Sequence, residues 1–150
     1  TDTCYLAIDE LVEFCESPIE ILLGASILIG MRMSARHFVI ELRKPEEEQM
    51  GTADLVLMPQ YPWREYRIDW VLKLRSHGVQ QQYTFVECDG HDFHERTKEQ
   101  AERDRAKDRA IQMAGIPILR FTGREIFRNV AACGVQVVDM ALALENKAKP

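Results

Sequence analysis

No stretch of this chain is apolar for long enough to cross a bilayer. The nearest approach, Ile19 to Met33, is interrupted by Glu20 and Arg32 and falls short of the roughly 20 residues a spanning helix needs. No basic leader precedes an apolar segment, so no signal peptide is expected within these residues, although Thr1 is not a start methionine. Cysteine is sparse. Cys4, Cys15, Cys88 and Cys133 include no C-x-x-C pair, and a reduced, cytoplasmic protein is the expectation. No internal repeat, low-complexity tract or second domain is visible, and 150 residues suffice for one domain with a proper core.

Basic charge is missing from one region. Residues 1–20 hold Asp2, Asp9, Glu10, Glu13, Glu16 and Glu20 and no Lys or Arg. That segment alone accounts for the formal net charge of −5. The total therefore excludes little: acids that hold a metal lower the formal charge without making the loaded site repulsive to phosphate.

Tyr5, Ile8, Leu11, Val12 and Cys15 follow helical spacing, so residues 1–16 read as a short acidic amphipathic helix, or the end of a longer upstream region. Ser17-Pro18-Ile19-Glu20 starts a second helix: Ser17 caps, Pro18 suits the first helical position, and Glu20 stands three after the cap. Ile19, Leu22, Leu23 and Ile27 give it an apolar face. Phe38 to Leu42 reads as a short strand, Arg43 to Asp54 as a loop, Leu55 to Met58 as a short apolar run, and Pro59 to Pro62 as a turn or irregular link. Tyr66 to Leu74 and Gln82 to Cys88 read as paired strands joined through Ser76-His77-Gly78, the second ended by Gly90. Phe93 to Ala114 is a long helix of mixed charge closed by Gly115, and Ile116 to Phe121 a strand that would lie in the interior. Strand, helix, strand implies a parallel crossover. Thr122-Gly123-Arg124-Glu125 opens another helix, and Val135 to Lys147 forms the last.

The most informative residues are acids at strand positions in apolar surroundings: Asp69 within Arg67-Ile68-Asp69-Trp70, and Glu87 and Asp89 within Val86-Glu87-Cys88-Asp89-Gly90-His91. Carboxylates are rarely buried unless paired or bound to metal. Glu87 and Asp89 are two apart and share a strand face. A hairpin would bring Asp69 to them, and a cluster of hard oxygen ligands suits Mg²⁺ or Mn²⁺.

The ordered set Ser17-Pro18-Ile19-Glu20, Tyr66-Arg67-Ile68-Asp69-Trp70, Val86 to His91, the helix with Arg103-Asp104-Arg105 and Lys107-Asp108-Arg109, and Gly115 to Phe121 resembles the PD-(D/E)XK superfamily. More narrowly, it resembles the small domains related to very-short-patch-repair endonucleases, over roughly residues 17–130. The resemblance implies an α/β restriction-endonuclease-like sandwich, with a small mixed sheet of four to five strands flanked by helices. It implies a Mg²⁺- or Mn²⁺-dependent endonuclease acting on DNA in repair or restriction, working as a homodimer or with a separate targeting domain. Asp69 and Glu87 match the motif acids, and Glu20 matches a supporting helix glutamate. The family's usual lysine is replaced by Asp89, so the resemblance points to Lys98, then Arg96, as the basic group, and to Asp89 and the Cys88 carbonyl as further metal ligands. His91 is a candidate proton shuttle, and Arg67, Arg96, Arg103 and Arg120 are candidate phosphate contacts. The alternative is a catalytically degenerate nucleic-acid-binding domain of the same fold.

Blander roles compete at each position. Asp69 and Glu87 would serve as half-exposed partners of arginines, Asp89 as a turn residue beside Gly90, Glu20 as a cap, and Lys98 as one charge on a solvated helix. Cys88, His91 and His94 have a zinc-like spacing, but alternation turns Cys88 to the opposite, buried side. Trp63 and Trp70 read as packing residues.

Overall fold

The computed structural model describes residues 9–13, 15–35, 37–75, 81–89 and 97–148, apart from the side chains of 145–148. Five strands form one mixed sheet in sequence order: β1 (Ile40–Leu42), β2 (Leu55–Trp63), β3 (Tyr66–Leu74), β4 (Gln82–Asp89) and β5 (Ile118–Thr122). The outer pairs β1–β2 and β4–β5 are parallel, and the inner pairs β2–β3 and β3–β4 antiparallel. Helices α1 (Pro18–Ser34), α2 (Lys98–Met113), α3 (Gly123–Arg128) and α4 (Val130–Ala148) flank it, preceded by a helical stretch at residues 9–13. No helix of the described residues is long and apolar enough to cross a membrane.

Period-2 alternation along β2, β3 and β4 divides two cores. Leu55, Leu57, Trp70, Leu72, Leu74 and Val86 face Leu23, Ile27 and Met31 of α1 and Val137, Val138 and Ala141 of α4. Val56, Met58, Val71 and Phe85 face the other way, against Ile111 of α2 and Ala53. That second face is completed by the chain between β1 and β2. There the fully buried Lys73 ammonium meets Glu48 at 3.0 Å, and both Tyr61 and Tyr83 hydroxyls donate to the same carboxyl.

The expected starts of α1 and α3 hold, whereas the last helix begins at Val130, five residues before the expected Val135. The Ser17 hydroxyl accepts from Glu20 N–H, with Pro18 first in α1, and Thr122 and Glu125 cap α3 reciprocally. The crossover from β4 through α2 to β5 is parallel as expected. Three further expectations need correction. Pro59 to Pro62 is not an irregular link but the second half of β2. β1 pairs only with Leu55, Val56 and Leu57, so beyond them β2 is an edge strand, where a proline removes no ladder bond. The strand after α2 lies at the sheet edge rather than its interior, since β5 pairs with β4 alone. Finally, α2 starts at Lys98, because Thr97 is extended (φ −72°, ψ 162°) and closes a capping box with Gln100. Phe93 to Arg96 and Ser76 to Gln80 lie outside the described residues.

Candidate functional site

The site forms where β3 and β4 end, between the start of α1 and the middle of α2. The last registered pair of the hairpin there is Trp70 opposite Val86. One step further the ladder gives way to a side chain: Cys88 N–H donates to Asp69 Oδ2 at 2.8 Å. The neighbouring strand carries Glu87, whose carboxylate forms an ion pair with Lys107 of α2. Both side chains are mostly buried, 17% and 18% exposed. Lys107 Nζ also donates to the Arg67 carbonyl at 3.0 Å, tying α2 to β3 two residues before Asp69.

Glu20 reaches the same place from α1 and is buried. Its Oε2 accepts from Gln60 Nε2 at 2.9 Å and from Glu16 N–H at 3.2 Å. The α1 backbone is pinned here by Trp70, whose indole N–H donates to the Glu20 carbonyl at 3.0 Å. Gly24 makes that approach possible, since a Cβ on it would lie 2.2 Å from Trp70 Cζ2. Trp70, expected as a packing residue, is fully buried, and its neighbour in the chain is the site aspartate.

The electrostatics follow from burial of Asp69 and Glu87 near Lys107, with Glu20 acting on Asp69 from the α1 side. Burial, opposed by the Cys88 N–H and reinforced by the charge of Glu20, pushes the Asp69 carboxyl from 3.8 to about 6. Burial likewise raises Glu20, against the hydrogen bonds from Glu16 and Gln60. Glu87 is raised by burial and by Asp69, although Lys107 and the more distant Arg120 pull it back. Burial raises the Cys15 thiol to about 12 and the Cys88 thiol further, the nearby carboxylates adding to it, so neither is a ready thiolate nucleophile.

The structure brings Glu20, Asp69 and Glu87 to one locality. Asp89 stands two residues along β4, opposite Thr122 of β5. Cys88 packs on the α1–α4 core, the opposite side from Glu87, as alternation requires. Lys98 is exposed at the first residue of α2, nine residues and about 13 Å of helix before Lys107. Lys107, which the sequence reading passed over, is the cation on Glu87. It stands one turn before Ile111, the buried apolar residue of α2, so it faces the sheet. Arg67 is exposed and pairs with Glu16 at 3.0 Å. Arg120 is opposite Glu87 in the β4–β5 register, its guanidinium engaged by Asp108. Arg103 is exposed on α2. His91 and Arg96 lie outside the described residues.

Among the described residues no group of three or more His, Cys, Asp or Glu is arranged to hold a metal ion. As a divalent-cation site, then, the protein offers chiefly the Asp69 and Glu87 carboxylates. That donor set fits Mg²⁺, which demands octahedral geometry, keeps several waters and takes one or two carboxylates rather than a full protein cage. The raised proton affinity of all three acids supports the fit, because a buried cluster short of positive charge gains from any cation. A cavity of about 230 Å³ lined by Arg32, Ala35, Phe38 and Ile40 is formed instead around the far end of α1. No protein-family model, curated protein or solved structure matches the chain.

Proposed function

We propose that this chain is a Mg²⁺- or Mn²⁺-dependent endonuclease that hydrolyses DNA phosphodiester bonds, with the restriction-endonuclease-like fold of the PD-(D/E)XK superfamily. The observation that carries the reading is the convergence of Asp69 and Glu87 from adjacent strands with a lysine seated on Glu87. A shared acid pair with one ammonium is the minimum equipment for holding a cation against a phosphate and stabilising charge that develops on it.

In this reading Asp69 and Glu87 hold the metal, which when bound supplies a water of lowered pKa and neutralises phosphate charge. Cys88 N–H fixes the direction of Asp69. Lys107 opposes the rise in the proton affinity of Glu87 that burial causes. In this reading it also lends its ammonium to a phosphate oxygen, the part that the usual lysine plays at the position held here by Asp89. Glu20 orients water or supports a metal ligand from the α1 side. Arg67 and Arg103, both exposed, are candidates to meet the phosphate backbone.

The test is cleavage of supercoiled and branched DNA with Mg²⁺, Mn²⁺ or EDTA, comparing the native chain with Asp69→Ala, Glu87→Ala and Lys107→Ala. Metal-dependent cutting that all three substitutions abolish is the expected result. A folded native chain that binds DNA but cuts none of it, with either metal, would favour the degenerate binding domain.

A further inference from the structure

Gln60 has a left-handed backbone, φ 49°, inside β2. A non-glycine residue is uncommon there, and such a conformation persists only where the surroundings over-determine it. No residue is inserted: Pro59 is opposite Trp70 and Tyr61 opposite Ile68, so Gln60 lies level with Asp69. What changes is the facing. Leu55, Leu57, Trp70, Leu72 and Leu74 pack on the α1–α4 core, whereas Ile68 and Tyr61, which continue the same alternation, pack on the α2 side. The ribbon turns over at the level of Gln60 and Asp69. That turn lets one aspartate sense both Glu20 of α1 and Lys107 of α2.

At the same point the Gln60 amide donates to Glu20 Oε2 at 2.9 Å. A neutral donor suits this place. An ammonium would cancel the negative charge that recruits a cation, and a carboxylate would add a fourth acid.

We propose that Gln60 is a positioning residue, whose amide and left-handed backbone hold the Glu20 carboxylate beside Asp69 so that the acid site is assembled before a divalent cation binds. The inference rests on the nuclease reading above. Gln60 touches no reacting atom and acts through Glu20.

The test is Mn²⁺ binding, by electron paramagnetic resonance of the free ion, to the full chain and to Gln60→Gly, Glu20→Gln and the double variant. Glycine accepts the left-handed backbone, so Gln60→Gly removes the amide without straining the strand. The expected result is a loss of Mn²⁺ affinity in both Glu20→Gln and Gln60→Gly. That of Gln60→Gly should be the smaller and at most about tenfold, because Gln60 acts on the supporting Glu20 and not on a metal ligand. The Tm of Gln60→Gly should not fall. On the Glu20→Gln background the same change should have no further effect. Unchanged affinity in Gln60→Gly, or a loss that simply adds to that of Glu20→Gln, overturns the positioning role while leaving the nuclease reading intact. A native chain that binds no Mn²⁺ overturns both.

Discussion

Lys107 bridges two strands: its ammonium pairs with the Glu87 carboxylate of β4 and donates to the Arg67 carbonyl of β3 at 3.0 Å. One cation therefore ties together the ends of the two strands that carry the acids, beyond their last registered pair. Replacing Lys107 with Met keeps the buried stem and removes the charge. In the proposed nuclease, cleavage by Lys107→Met should fall by about 10²–10³, the usual loss when one charge-stabilising donor is removed. Lys98→Met, on the exposed first turn, should stay near the native rate. Single-turnover cleavage of both variants at saturating Mg²⁺ checks this, and equal rates in the two would dismiss Lys107.

Asp69 makes the site costly to keep ionised. Its folded pKa of about 6 stands above the usual 3.8, so between these values the folded state holds the proton more tightly than the unfolded one. Stability from this group therefore falls as pH rises from about 4 to 6, and above 6 the full penalty, on the order of 3 kcal/mol, is present. Asp69→Asn should raise Tm at pH 7.5 without metal, and the gain should shrink as pH drops toward 4. Mg²⁺ should raise the Tm of the native chain but not of the variant. A Tm gain that does not depend on pH would refute the electrostatic account.

Gly24 sets how closely α1 approaches the sheet. A methyl there meets the Trp70 indole at 2.2 Å, and neither the fully buried ring nor the helix has room to yield cheaply. Gly24→Ala should cost about 1–3 kcal/mol by overpacking, despite alanine's better helix propensity. The displaced α1 should also weaken the contact from the indole to the Glu20 carbonyl. Urea melts measure the first effect, and the near-ultraviolet circular dichroism of Trp70 follows the second.

The β3–β4 hairpin, the short strand β1 before it and the parallel crossover were legible because apolar alternation and turn residues are local signals. So were the helix starts at Ser17 and Thr122. The full length of β2 and its pairing with β1 and β3 were not. The acid pair was legible too, since carboxylates flanked by Ile68, Trp70 and Val86 stand out. Lys107 was not. In a helix with as many charges as α2, no charge is marked as inward until one knows that Ile111 alone is buried, which fixes the face four residues earlier. Gln60 was hidden by Pro59 and Pro62, which suggest an irregular link wherever it is unknown that β1 is only three residues long. Both misses are tertiary facts, set by which element ends up beside which.

The buried pair of Lys73 and Glu48 separates stability from the acid site. Lys73 is fully buried, and Glu48 is 12% exposed. Burial alone would raise the Glu48 carboxyl, but hydrogen bonds from Tyr61, Tyr83 and Lys73 outweigh it and leave it below the usual range. The same carboxylate pushes the Tyr83 phenol, already raised by burial, to about 12. Lys73→Met leaves a carboxylate under cover with two neutral donors and no counter-charge, and should cost about 3–5 kcal/mol. Adding Glu48→Gln removes the stranded charge, keeps an acceptor for the tyrosine hydroxyls, and should recover part of that loss. Lys73 lies four strand residues from Asp69, about 13 Å along β3, so Mn²⁺ affinity should not change in any variant that remains folded. A double variant less stable than Lys73→Met would show that the Glu48 carboxylate stabilises this face even without the ammonium.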